Sequence, residues 1–179
     1  MQALLRVLHH LWLDADDARR ALGDDAIDRL EARVAASERA HTGQVCLCVE
    51  ASLPPSYLWR WIGRRQPIAD VVRDRALTLF GKQRVWDTEH NNGVLIYLLL
   101  AEHRIEIVAD RALARCAAES EWQDLVARLA GDCRSGRIEQ GLAAAVDAVD
   151  ALLAEHFPAS AARAGGADDP GLPDRPTIR

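Results

Sequence analysis

Seven consecutive apolar residues, Val94 to Leu100 in "GVLIYLLL", constrain this chain more than any other stretch. A strand that is apolar on both alternating faces must be covered on both sides. "QVCLCVE", Gln44 to Glu50, makes the same demand, with Val45, Leu47 and Val49 on one face and Cys46 and Cys48 on the other. Between the two lies a helical pattern that Pro67 can start and that carries Ile68, Val71, Val72, Ala76, Leu79 and Phe80 on one face. Arg73, Asp74 and Arg75 are read there as solvated. Strand, helix and second buried strand form a βαβ unit, so the two strands should run parallel with a right-handed crossover.

Ala101 to His103 leave room only for a tight turn, so "RIEIVA" returns antiparallel, with Ile105 and Ile107 inward and Arg104 and Glu106 on a half-exposed edge. The rest reads as helix. Ile27, Leu30 and Val34 repeat after Gly23, "SYLWRWIGRR" suits a short helix after Pro54-Pro55, and Arg111 to Ala118 suits another. Two longer segments carry Trp122, Leu125, Val126 and Leu129, then Ile138 to Phe157, and should cover one face of the sheet. The expected fold is therefore a three-layer α/β/α sandwich, with a small mixed sheet and helices on both faces.

At the N-terminus, Leu4, Leu8, Leu11 and Trp12 share a stripe of an amphipathic helix in residues 1–14, expected to dock on the core, with an oligomer or membrane-surface contact as the alternative. Residues 15–158 form the α/β domain. Beyond Pro158 the chain is rich in Pro, Gly and Ala, and 159–179 reads as a flexible tail.

The chain's 179 residues suit one domain, and a net charge of −5 favours neither nucleic acid nor an anionic surface as a bulk partner. No run approaches the ~20 apolar residues of a membrane span, and "LLRVLHHLWL" lacks a signal-peptide cleavage site, so the expected location is cytoplasmic, or peripheral to the inner membrane. Cys46 and Cys48 point the same way within one strand, as small buried hydrophobes of a reducing compartment would, and "CLC" has no second pair at zinc-finger spacing.

The strand directions carry Glu38, Asp87, Glu89, Asn91, Asn92 and Asp110 to one end of the sheet: before the first strand, before the second, and after the third. Carboxylates with amide carbonyls are hard oxygen donors, and without a cation their repulsion would raise some of their pKa values. The competing reading is structural: Asn91-Asn92-Gly93 is ordinary loop chemistry, Asp87 and Asp110 can cap helices or turns, and Glu38 can pair with Arg84 or Arg111. "ERAH", Glu38 to His41, has the Glu-x-x-His spacing of di-iron bundles but occurs once where such a bundle needs two. Phosphate loops, dinucleotide fingerprints, His-Glu-x-x-His, Gly-x-Ser-x-Gly and thiol-phosphatase spacing are all missing, which leaves only metal- or carboxylate-based catalysis.

"SERAHTGQVCLCVEASL", "RALTLF", "VWDTEHNNGVLIYLLLAEHRIEIVADRAL", "EWQDLVARL" and "GLAAAVDAVDALLAEHFP" resemble, in order, the blocks of the TPM domain family over roughly Ala15 to Pro158. The resemblance implies a compact α/β sandwich, and for some members calcium in an acidic cleft or acid phosphatase activity. It also implies a protein partner, associated with membranes and of the LemA-like kind. Ala112 departs from the Gly expected after the Asp-Arg pair, which narrows the cleft. The expected function is thus an accessory domain that assists assembly or maintenance of membrane-associated proteins, non-enzymatic or at most weakly hydrolytic. Its divalent-cation site, for calcium or a similar ion, would use Asp87, Glu89, Asn91, Asp110 and Glu38. The alternatives are a metal-dependent acid phosphatase, with Asp87 and Asp110 on the cation and Glu38 or Glu89 as base, and a homo-oligomeric scaffold.

Overall fold

The computed structural model describes residues 2–159 and 172–179. Helices α1 (Gln2–Trp12), α2 (Ala15–Leu22) and α3 (Asp24–Ser37) precede strand β1 (Gln44–Glu50). Helices α4 (Pro55–Gly63) and α5 (Ile68–Lys82) then lead to β2 (Gly93–Leu99). A 3-10 turn, Leu100–Glu102, joins β2 to β3 (Arg104–Ala109), and helices α6 (Arg111–Ala114), α7 (Glu119–Arg134) and α8 (Ile138–His156) follow. Strand β4 (Thr177–Ile178) completes a four-stranded sheet in the order β3-β2-β1-β4.

The expected sandwich is present. β1 and β2 run parallel, with Gln44 opposite Gly93, and β3 returns antiparallel, with Val94 opposite Ala109. His103 takes φ 48° to close the hairpin. Alternation sorts the side chains into two apolar layers. Val45, Leu47, Val49, Val94, Ile96 and Leu98 pack with residues of α3, α7 and α8, whereas Cys46, Cys48, Leu95, Tyr97 and Leu99 pack with α4 and α5. Every residue of β2 is buried, as its two-faced apolar pattern requires. The four cysteines are free, and burial pushes the thiols of Cys46 and Cys48 up to about 12, so they serve as inert packing.

Three elements of the backbone depart from the sequence reading. Asp14 begins the separate helix α2 by accepting from the N–H groups of Asp16 and Asp17 in a capping box that hydrophobic periodicity does not reveal. Residues 172–179 are not a tail with nothing to bury. Thr177 and Ile178 pair with Cys48 and Val49, Arg179 donates to Val49 O at 3.0 Å, Ala51 donates to Arg179 O at 2.8 Å, and Pro176 is buried. Composition registers side-chain burial, but here the backbone supplies the partners that the open edge of β1 lacks. Residues 160–171 of the expected tail lie outside the described residues.

The third departure is α1. His10 and Arg6 face the domain, while Leu8, Leu11 and Trp12 face outward, Trp12 at 83% exposure. The apolar stripe therefore does not dock on the core; the Leu4 side chain lies outside the described residues. The anchor is polar. His10 Nδ1 accepts from the Leu53 N–H at 3.2 Å, His10 Nε2 lies 3.1 Å from Glu102 Oε1, and Arg6 pairs with the same carboxylate.

Candidate functional site

The candidate site sits where β1 and β2 begin and β3 ends. Asp110 N–H donates to Gly93 O at 2.8 Å, which holds the end of β3 against the start of β2. Residues 83–92 fold back over this edge. Val85 N–H donates to Phe80 O at 3.1 Å, Asp87 N–H to Arg84 O at 2.8 Å, and Asn92 N–H to Thr88 Oγ1 at 3.0 Å. Gly93 permits the fold-back, since a Cβ there would lie 1.9 Å from Val85 O. Arg84 and Asn91 turn the loop at φ 57° and 52°, and Ala112 N–H ties it to α6 by donating to Asn91 O at 3.0 Å.

Within this edge the expected residues separate into three groups. Asn92 and Asp110 are buried. Asn92 Nδ2 donates to Thr42 Oγ1 at 3.2 Å, and Asp110 Oδ1 caps α6 by accepting from Arg111 N–H at 2.6 Å. Their other oxygens, Asn92 Oδ1 and Asp110 Oδ2, are buried with no hydrogen-bond partner among the described residues. Asp87, Glu89 and Asn91 form a more exposed group on the loop, with Asp87 3.0 Å from Arg84. Glu38 forms the third. Its Oε1 accepts from Val45 N–H at 2.9 Å on β1, and Asp174, just before β4, lies beside it. Burial pushes the Glu38 carboxyl up to about 7, and Asp174 adds to the rise. Among the described residues no three His, Cys, Asp or Glu side chains are placed to hold a metal ion.

His41, which precedes β1 at this edge and ends the "ERAH" motif, is fully enclosed. Its Nδ1 lies 3.1 Å from Gly43 O, and its Nε2 lies 2.9 Å from Ser37 Oγ and 3.2 Å from Asp150 Oδ1. Nδ1–H donating to the carbonyl leaves Nε2 to accept from the Ser37 hydroxyl, and burial lowers the imidazole pKa in spite of Asp150. Periodicity could have found Ser37, three residues beyond the buried Val34 on α3, but no local pattern points to Asp150 on α8.

On the α5 side, Arg75 is buried, contrary to the solvated reading. Its Nε donates to Glu50 Oε2 at 2.9 Å, and Tyr97 Oη donates to the same oxygen at 2.7 Å. The signal was available, because position 75 lies three residues after Val72 and four before Leu79, on the face that meets the sheet.

An open mixed sheet between two helical layers, with its polar loop folded over the start of the parallel strands, defines a small α/β sandwich domain. The TPM domain pattern matches residues 15–152, and the chain belongs to that family. Among solved structures it is similar to the BA42 protein of the psychrophilic bacterium Bizionia argentinensis, at a TM-score of 0.68 and 19% identity over 87% of this chain and 94% of that one. It is also similar to the N-terminal domain of a P. gingivalis protein, at a TM-score of 0.58 and 21% identity over 78% of this chain and 82% of that one. No curated protein matches the chain.

Proposed function

We propose that this TPM domain is an accessory domain acting on membrane-associated protein partners and that the edge around Asn92 and Asp110 takes up a divalent cation. The observation that carries the cation reading is the pair of buried oxygens, Asn92 Oδ1 and Asp110 Oδ2, that no N–H or O–H of the described residues satisfies. A buried acceptor without a donor is costly, and a hard cation removes that cost for both. Calcium suits them best, since it accepts six to eight oxygens in a flexible shell that water can complete. Asp110 and Asn92 would hold it from the sheet edge, and Asp87, Glu89 and Asn91 could reach it from the loop. Glu38, seated beside Asp174, is left out of that set. Bound there, the ion would offset the carboxylate charge and fix the loop, which gives a partner a surface whose shape depends on calcium.

One observation favours a metal-dependent hydrolase as a second reading. A carboxyl held at about 7, as Glu38 is, suits a general base at neutral pH. The deciding experiment is a calcium titration followed by amide NMR. The accessory reading expects saturable shifts confined to residues 87–93 and 110–112 that Asp110→Asn abolishes, with no phosphate-ester hydrolysis. Absence of shifts at millimolar calcium would remove the cation site. Hydrolysis lost both to chelator and in Glu38→Gln would establish the second reading.

A further inference from the structure

The end of the sheet opposite the candidate site carries an outward-facing surface that the cation reading does not use. Its first half is α1. Arg6 and His10 occupy the arc turned toward the domain, so the arc turned to solvent presents Leu8, Leu11 and Trp12. A helix that only completes its own core buries its apolar arc, and this one does the reverse. The second half is α4, which begins five residues after β1 ends. Tyr57 and Leu58 face the core, while Trp59 and Ile62 face out, Trp59 at 58% exposure. The halves adjoin, because the Arg6 guanidinium lies 5.0 Å from the Trp61 ring.

Trp59 is held in place as well as exposed. Arg64 lies over its ring at 4.9 Å, and a Cβ on Gly63 would come within 2.9 Å of its Nε1, so the indole lies close along the helix. The segment that carries it holds cations only. Residues 51–69 contain Arg60, Arg64 and Arg65 and no Asp or Glu, in a chain whose net charge is −5. Arg60 has Asp74 at 3.7 Å, whereas Arg64 and Arg65 form no ion pair among the described residues. Convex apolar side chains, tryptophans and exposed arginines are the combination that partitions into the headgroup region of a bilayer, where indole rings sit at the boundary and cations meet anionic lipids.

We infer that the α1–α4 face docks this domain on an anionic phospholipid surface, inserting Leu11, Trp12, Trp59 and Ile62 to headgroup depth with Arg64 and Arg65 on the lipid phosphates. The bilayer is favoured over a protein groove because the side chains stand out on two helices and two of the local cations, Arg64 and Arg65, have no acid partner among the described residues, while Arg6 and Arg60 pair with Glu102 and Asp74. In this orientation the loop around Asn92 and Asp110 points away from the membrane, toward a partner's soluble portion.

The test is sedimentation of the full chain with vesicles of phosphatidylcholine alone and of phosphatidylcholine with phosphatidylglycerol, with tryptophan emission recorded alongside. The expected result is binding to the anionic vesicles with a blue shift, weakened by salt, and reduced by about tenfold or more in Leu11→Glu/Trp12→Glu and in Arg64→Glu/Arg65→Glu. Leu77→Ala, an exposed position on α5, should bind as the unaltered chain does. Circular dichroism establishes that the variants fold. No binding to anionic vesicles, or binding that both double variants retain, overturns the inference. A concentration-dependent dimer that Leu11→Glu/Trp12→Glu dissolves, seen without vesicle binding, assigns the face to a second copy of the chain and overturns it too. Calcium binding is read separately by NMR, so the cation reading can fail without affecting this one.

Discussion

Glu50, the last residue of β1, receives the guanidinium of Arg75 from α5 in a two-point contact buried between sheet and helix. Tyr97 on β2 donates to the same carboxylate, so one acid ties two strands and a helix together. Removing one partner of such a pair leaves an uncompensated buried charge. Arg75→Met should therefore lower the unfolding free energy by about 3–5 kcal/mol, while Arg75→Met with Glu50→Leu should recover much of the loss, both read from urea unfolding.

Glu38 predicts a pH dependence of opposite sign to that of an ordinary ion-paired carboxylate. Its folded pKa of about 7 lies above the ordinary carboxyl value of 4.5, so the native state binds the proton more tightly than the unfolded chain. Stability should then fall as pH rises from 4.5 to about 7, with a cost on the order of 3 kcal/mol fully present above that range. Glu38→Gln keeps an acceptor for the Val45 N–H and should flatten this slope. Thermal unfolding at pH 5 and pH 8 reads it, and a variant with the original slope would refute the assignment.

His41 acts in the other direction. Burial depresses its pKa below 6.5, so on acidification the unfolded chain takes up the proton first. Its contribution is complete above pH 6.5 and declines as pH falls toward the folded pKa. NMR titration of the ring should show a midpoint below 6.5, and Asp150→Asn, which removes the nearby carboxylate, should move it lower still.

Gly93→Ala tests the loop over the sheet edge. Val85 O stands where the new Cβ must go, so the loop or the strand end has to move, at an expected cost of about 3 kcal/mol in urea unfolding. Because Asp110 N–H bonds to Gly93 O, the same displacement should reduce calcium-induced amide shifts at residues 110–112.

The sequence revealed the βαβ unit and hairpin because Val94 to Leu99 and Val45 to Val49 can only be buried on both faces, which leaves few ways to connect them. It also carried Asp87, Asn92 and Asp110 to one sheet edge, since strand direction alone decides which ends meet. It did not separate Glu38 from Asp110, because that depends on the side of β1 to which the end of α3 delivers the carboxylate, and on Asp174, distant in sequence. Arg75 shows that helical position outweighs residue type: it lies on the buried face of α5 although arginine favours solvent. The α1 stripe faces outward because an apolar arc makes a helix amphipathic without fixing which arc its anchors turn inward, and here the anchors are Arg6 and His10.

Strand β4 also bears on the order in which the molecule assembles. The β2–β3 hairpin closes across a short turn, and β1 finds β2 once α5 has formed, but Cys48 meets Thr177 only across roughly 130 intervening residues. Loop-closure entropy makes that pairing the slowest of the three. Until it forms, Val49 and Ala51 present unpaired backbone groups on a strand with an apolar flank, which is a template for pairing between chains. The segment that contributes two strand residues to the native sheet thus also closes the edge of β1 against pairing with another chain.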